Sequence, residues 1–207
     1  MMTVMYSVKR YLASERAMKV TREQAAENRE RILSLAAKLF REKGFDGIGV
    51  ADIMKAAGLT HGGFYGHFKS KDDLISQACH RAVDELLAAG ELRKALSNKD
   101  PITLFLENYL SIGHRDNAGS GCLMAALGSE APRQSAQVRR AFTESAKRLW
   151  DALTTLMSAK FSQDHARQKA AVTLATLIGA QVIARAVDDQ DISESVLKWV
   201  LQEFDDF

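Results

Sequence analysis

Between residues 60 and 71 the chain sets a hydroxyl, two imidazoles, a phenol and an ammonium in the segment THGGFYGHFKSK, as Thr60, His61, Tyr65, His67 and Lys71. Such groups exchange hydrogen bonds with phosphate oxygens and base edges, which suits nucleic-acid recognition rather than bond breaking. Group-transfer or hydrolytic chemistry would need a nucleophile beside a base, paired carboxylates, a metal cluster or a phosphate-cradling loop. The spacing of Ser, His, Cys, Asp and Glu offers none of these, so an enzyme is not expected, nor a bound metal or cofactor. Cys79 and Cys122 form neither a disulfide framework nor a ligand set. For Cys122 two readings stand, inert packing on an apolar helix or a thiol activated by His114.

The same segment holds Gly62, Gly63 and Gly66 within five residues. Each glycine inside a helix costs about 1 kcal/mol relative to alanine. Bare backbone there would let a partner approach closely, with Phe64 and Phe68 anchoring the segment from behind.

The elements around it read as helices. Thr21 with Gln24 forms a capping-box pattern, and Ile32, Leu35, Ala36, Leu39 and Phe40 recur at helical spacing up to Gly44. This predicts a first helix over about 22–43. Val50, Ile53, Met54 and Ala57 give a helix of two turns closed by Gly58, and Thr60 is placed to cap a short helix through Tyr65 or Gly66. Ser70 with Asp73 opens a long helix over 70–96. Asp100-Pro101 starts the next, RDNAGSG (115–121) is a loop by composition, and Cys122–Ala131 reads as a short apolar helix. Ser135 opens another. Two terminal helices, about 165–187 and 193–205, are apolar over much of their circumference and predict a homodimeric four-helix interface.

Hydrophobic residues make up 46% and charged ones 26% of the 207, which fits a globular protein with room for a proper core. No uninterrupted apolar run approaches the ~18 residues of a membrane span, and the first residues lack a signal-peptide pattern. No membrane partner is expected and a cytoplasmic location is the simplest. Residues 1–81 carry 14 Lys/Arg against 9 Asp/Glu, whereas the remainder carries 14 against 17. A basic end on an acidic body suits a polyanion partner. Residues 1–20 read either as a mobile basic arm or as a stretch upstream of a start at Met18.

GFDGIGVADIMKAAGLTHGGFYGHFKSKDDLI, residues 44–75, resembles the DNA-binding signature of the TetR/AcrR family of transcriptional regulators. LTHGGFY and the later GCLMAALGSEAPRQ resemble one subset of it. The resemblance is motif-specific over about residues 25–80. It implies an all-α fold, with a three-helix DNA-binding domain over 21–70 (helix-turn-helix 48–67) and a helical ligand-binding and dimerisation domain over 71–207. It also implies a bacterial, cytoplasmic homodimer, associated with the nucleoid when bound to DNA. The implied activity is repression at a palindromic double-stranded operator, relieved by a small-molecule effector. A constitutive architectural protein or an activator are the other readings.

Position by position, the resemblance gives Thr60 a capping and contacting role, His61 a base-reading role, and Tyr65, His67 and Lys71 contacts to the DNA backbone. Gly62 and Gly63 face the groove, Gly63 standing where the family often has Thr or Ser. Gly49 stands where a Ser or Thr usually caps the preceding helix. Phe105, Tyr109, His114, Cys122, Met124, Phe142 and Trp150 lie on the helices that line the effector pocket in such regulators. The 70–96 helix would be the lever between effector and DNA.

Overall fold

In the computed structural model, which describes residues 2–204 with side chains from Thr21 onward, the described residues form nine α-helices and three 3-10 turns. Helix α1 (Met2–Lys43) does not start after Thr21; it continues back to Met2, while Gln24 turns its amide toward Glu27 and Asn28. No glycine or proline lies between Met2 and Thr21, so nothing local stops the helix. Of residues 2–20 only the backbone helix is described, and the side chains of the expected basic arm lie outside the described residues. At the other end α1 stops at Gly44, whose φ of 83° suits glycine alone.

Helix α2 (Val50–Ala56) buries Ile53 and Met54 completely. Gly58, at φ 70°, reverses the chain, and the Leu59 N–H closes the turn on the Met54 carbonyl at 2.9 Å. The following element, His61–Gly66, is a 3-10 helix rather than the expected α-helix. Thr60 caps it with no side-chain hydrogen bond; its carbonyl takes the Gly63 N–H instead, at 3.0 Å. Three glycines in six residues remove the propensity that would sustain α geometry. Phe64 and Phe68, 1% and 2% exposed, stack with centroids 5.7 Å apart and pin the turn to the core.

Helix α3 (Lys71–Ala95) begins with a reciprocal cap: Ser70 Oγ accepts from Asp73 N (3.1 Å) and Asp73 Oδ2 accepts from Lys69 N (2.9 Å). Its buried face, Leu74, Ile75, Ala78, Ala82 and Val83, serves both halves of the molecule, packing against α1 and against α7 (Ala136–Met157). From Glu91 to Leu96 every residue is exposed.

Helix α4 (Pro101–Tyr109) is capped by Asp100 as the Asp-Pro signal predicts. The expected loop at 115–121 is partly helical: Ser111 caps α5 (Ile112–Asp116), and a 3-10 turn spans Ala118–Ser120. The expected helix Cys122–Ala131 is shorter, α6 being Leu123–Leu127, with a 3-10 turn at Ala131–Arg133 that holds Pro132. Proline lacks the N–H that a continuing helix would need.

Ser135 caps α7, and α8 (Gln163–Ala186) and α9 (Gln190–Gln202) close the fold. Contrary to the expectation from uninterrupted apolar runs, α8 has the length and hydropathy of a membrane span, its best window averaging 1.2. It packs on α7 and α9 as part of the helical body, and only 33% of that window is buried within this chain. Val172, Val182 and Ile183 on α8, with Ile192 and Trp199 on α9, stand exposed.

Candidate nucleic-acid interface

The N-terminal unit is assembled so that its apolar residues point inward and its hydrogen-bonding ones outward. Phe40, Phe45, Ile53, Met54, Phe64, Phe68 and Leu74 form one core of fully buried side chains. On the opposite side of the 3-10 turn, Thr60, His61, Gly62, Gly63, Tyr65 and Gly66 are all exposed. Tyr65 is 71% exposed, its ring edge-on to Phe64 at 5.2 Å, so the core aims a phenol at solvent. His67 and Lys71 are half-buried, and Lys71 is the first residue of α3, where unpaired N–H groups and the helix dipole favour an anion. Gly49 caps α2 with no side chain, leaving its exposed backbone at the same end.

The glycines in this surface answer to nothing inside the molecule. A Cβ at Gly62 or Gly66 would meet no atom within 4 Å, and at Gly63 it would make only ordinary contacts with Thr60 and Met54. None of the three has positive φ. Other cations nearby are tied into the fold: Arg29 lies 5.0 Å over the Phe68 ring and bonds Gln77, and Arg31 bonds Asn28 and reaches the Ala57 carbonyl.

The residues expected around an effector divide into two groups. Phe105, Tyr109, His114 and Cys122 come together, with ring centroids 5.7 Å apart for Phe105–Tyr109 and 4.6 Å for Tyr109–His114. His114 Nδ1 lies 2.6 Å from the Tyr109 carbonyl, and Nε2 accepts the Cys122 backbone N–H at 2.9 Å. That pair of contacts fixes the neutral tautomer with its proton on Nδ1. Burial, with Arg185 and Arg93 nearby, holds the His114 imidazole below its usual 6.5, against the pull of the Tyr109 carbonyl. His114 thus meets the backbone of Cys122, and the Cys122 side chain is fully buried. Cys79 is buried too, and burial pushes its thiol up to about 12.

Met124 is core, and Phe142 and Trp150 sit half-buried on α7. Trp150 donates to the Arg167 carbonyl and stacks under Arg167, away from His114. None of the expected pocket residues lines the cleft of about 340 Å³ where α5, α8 and α9 meet.

Sequence reasoning missed Gln181 and Arg185. One turn apart on α8, they supply hydrogen bonds to the C-terminal carbonyls of two other helices: Gln181 Nε2 to Tyr109 of α4, Arg185 Nε and Nη2 to Arg115 and His114 of α5. Two polar residues at i, i+4 on an otherwise apolar helix were the available signal. Among the described residues no group of three His, Cys, Asp or Glu is placed to hold a metal.

Comparison with known proteins agrees with this arrangement. Residues 32–78 match the family described as bacterial regulatory proteins, tetR family, and residues 100–196 match the C-terminal domain described as transcriptional regulator LmrA/YxaF-like. The chain is 36% identical over 95 residues to the HTH-type transcriptional regulator AcrR of Shigella flexneri, covering 44% of this chain and 43% of that one. It is 28% identical over 128 residues to the HTH-type transcriptional repressor NemR of Escherichia coli K12, covering 58% and 62%. The matches thus span between about two-fifths and three-fifths of these relatives. A transcriptional regulator of the TetR family from Agrobacterium tumefaciens superposes with a TM-score of 0.71 at 22% identity, over 86% of this chain and 98% of that one. The reduced form of E. coli NemR does so at 0.67 and 24%, over 84% and 95%. With both halves of the chain matched, one by the family's DNA-binding domain and one by a regulator's C-terminal domain, the protein belongs to the TetR family of bacterial regulatory proteins.

Proposed function

We propose that the protein is a sequence-specific DNA-binding transcriptional regulator, a homodimer that represses from a palindromic operator until a small molecule releases it. The observation that carries the DNA-binding reading is the bare surface of the 3-10 turn. Exposed Gly62, Gly63 and Gly66 leave open backbone between exposed His61 and Tyr65, with Lys71 at the adjoining N-terminus of α3. Folding needs no glycine at these positions, and close approach to a groove or a phosphate does. In this reading His61 meets base edges, while Thr60, Tyr65, His67, Lys71 and the Gly49 backbone meet phosphates.

Dimerisation is supported by the exposed apolar residues of α8 and α9, which the monomer leaves without cover. Two recognition turns must then lie about 34–36 Å apart to enter successive major grooves. Helix α3, 25 residues and on the order of 37 Å long at 1.5 Å per residue, runs from Lys71 into the C-terminal half. An effector that favours one setting of this helix changes the spacing and releases DNA.

Footprinting on the intergenic DNA beside the gene, with the purified full chain, tests the reading. A protected two-fold symmetric site about two half-turns of groove contact wide supports it. Uniform, strongly salt-dependent coating without a footprint overturns it in favour of an architectural role. A glycine inserted near Leu86 tests the lever: effector response that survives the insertion unchanged removes α3 from the mechanism.

A further inference from the structure

Around Arg185 the polar groups do not balance. Its Nε and Nη2 donate to the carbonyls of Arg115 and His114, 3.0 and 2.7 Å away, but Nη1 is buried without a partner. No carboxylate pairs with this guanidinium among the described residues, although burial opposes its charge. The Tyr109 hydroxyl is likewise buried with no partner on a residue only 4% exposed, and so is Gln181 Oε1 on a residue fully buried. Tyr109 and Arg185 lie within electrostatic reach of each other, and Arg93 acts on His114 from another side. Orphaned buried donors beside an unpaired cation are expensive to keep, and an anion that accepts from both removes the imbalance.

Arg185 also lines the cleft of about 340 Å³ at the junction of α5, α8 and α9, a volume within the range of small-molecule sites. Two carboxylates share that cleft. Asp116 is already taken by Arg115, at 2.7 and 3.2 Å, and Asp188 is exposed to water, which screens it. Arg115 is further fixed by Ser193 at 3.0 Å. The charge left to satisfy is therefore a single positive one, and a second negative charge on the ligand would face Asp116 and Asp188.

We propose that Arg185 and Tyr109 form the anchor of an effector site for a small monocarboxylate entering through the α5–α8–α9 cleft. The carboxylate takes the free N–H of Arg185 Nη1 and the Tyr109 O–H, a charge-assisted arrangement stronger than either neutral bond. The proposal rests on the effector-responsive reading and names the chemical class of the effector. Its route to the DNA-binding half is short, because Gly121 is wedged under this cluster: a Cβ there would lie 2.6 Å from His114 Nε2 and 3.2 Å from Arg185 Nη2.

The test is calorimetric titration of the full chain with propionate and benzoate, each against its neutral amide, with sulfate as an adventitious-anion control. The expected result is saturable binding of at least one carboxylate, at least tenfold weaker binding of its amide, and no matching response to sulfate. Tyr109→Phe deletes only a hydroxyl that has no partner, so it is expected to keep its melting temperature and lose about tenfold in carboxylate affinity. Arg185→Met is expected to abolish binding. Absence of carboxylate binding, equal binding by amide or sulfate, or unchanged affinity in a folded Tyr109→Phe variant each overturns the proposal. Operator release by an uncharged compound in the same wild-type preparation would show that only the ligand class had failed, and not the regulator reading.

Discussion

Arg41 of α1 and Gly121, before α6, are joined by a hydrogen bond from Nη1 to the Gly121 carbonyl, 3.3 Å long and buried. Arg41 is 4% exposed, and its Nη2 also meets Glu85 of α3 at 3.1 Å. One side chain therefore ties α1, α3 and the chain entering α6. Phe45, just past α1, adds a second tie by donating its N–H to Glu130 Oε2 at 2.8 Å. Arg41→Met keeps most of the packing and loses the charge-assisted bonds while leaving Gly121 O and Glu85 short of a partner. A loss of about 2–3 kcal/mol is expected in urea unfolding. A loss below about 0.5 kcal/mol would mean water replaces the guanidinium without penalty.

Stability is expected to depend on pH through His114. Its folded value lies below the ordinary 6.5, so the unfolded chain binds this proton first as pH falls. The stabilisation is complete above about pH 6.5 and declines as pH drops from there toward the lowered folded value. A protonated ring would aim a second N–H at the Cys122 N–H, which already occupies Nε2. Melting curves from pH 8 to 5 should show wild type losing more stability across that window than His114→Asn, which starts lower. Parallel profiles would remove His114 as the cause.

The glycines of the exposed turn should separate folding from binding. Gly62→Ala and Gly66→Ala meet empty space at ordinary φ, so stability should hold or rise by up to about 1 kcal/mol. Operator affinity should fall about tenfold or more, as a methyl intrudes where DNA approaches. Gly58→Ala, at φ 70°, should instead cost about 1–2 kcal/mol. Retained operator affinity in both exposed-turn variants would show that the bare surface is not what DNA touches.

His61→Ala and Lys71→Ala should fail differently. The first should relax sequence preference in a selection from randomised operators. The second should weaken all sequences about evenly and reduce the slope of log affinity against log salt by about 1. Preference unchanged without His61 would place base reading elsewhere.

Ile183→Glu combined with Trp199→Glu places charges among the exposed apolar residues of α8 and α9. Sedimentation velocity should then report a folded monomer, and operator affinity should drop about a hundredfold or more through lost avidity. A dimer that persists would move the interface to another surface.

The N-terminal unit was readable because its signals are local. Gly44 and Gly58 mark helix ends, Ser70 with Asp73 forms the expected box, and the apolar spacing of Ile53, Met54, Phe64 and Phe68 names the core. The 3-10 geometry after Thr60 was not readable, because propensity tells how weakly a helix is favoured and not which tighter turn replaces it. In the C-terminal half the aromatic residues were found but their grouping was not. Trp150 turns toward Arg167 while Tyr109 turns toward His114, a choice made by tertiary packing. Arg185 was invisible for the same reason: its partners are carbonyls 70 and 71 residues away in sequence.

The double use of α3 bears on how such regulators can be recombined. Leu74, Ile75 and Ala78 are nearly fully buried, in the part of α3 that lies against α1. A hybrid joined at Ser70, the natural seam by motif, would hand the donor's DNA-reading unit a stranger's helix to rest on. A junction past Val83 instead transplants that helix with its own seat. Arg81 then travels too, with its bonds to Glu30 and Ser34 of α1, and the recipient body must be one that accepts a foreign lever.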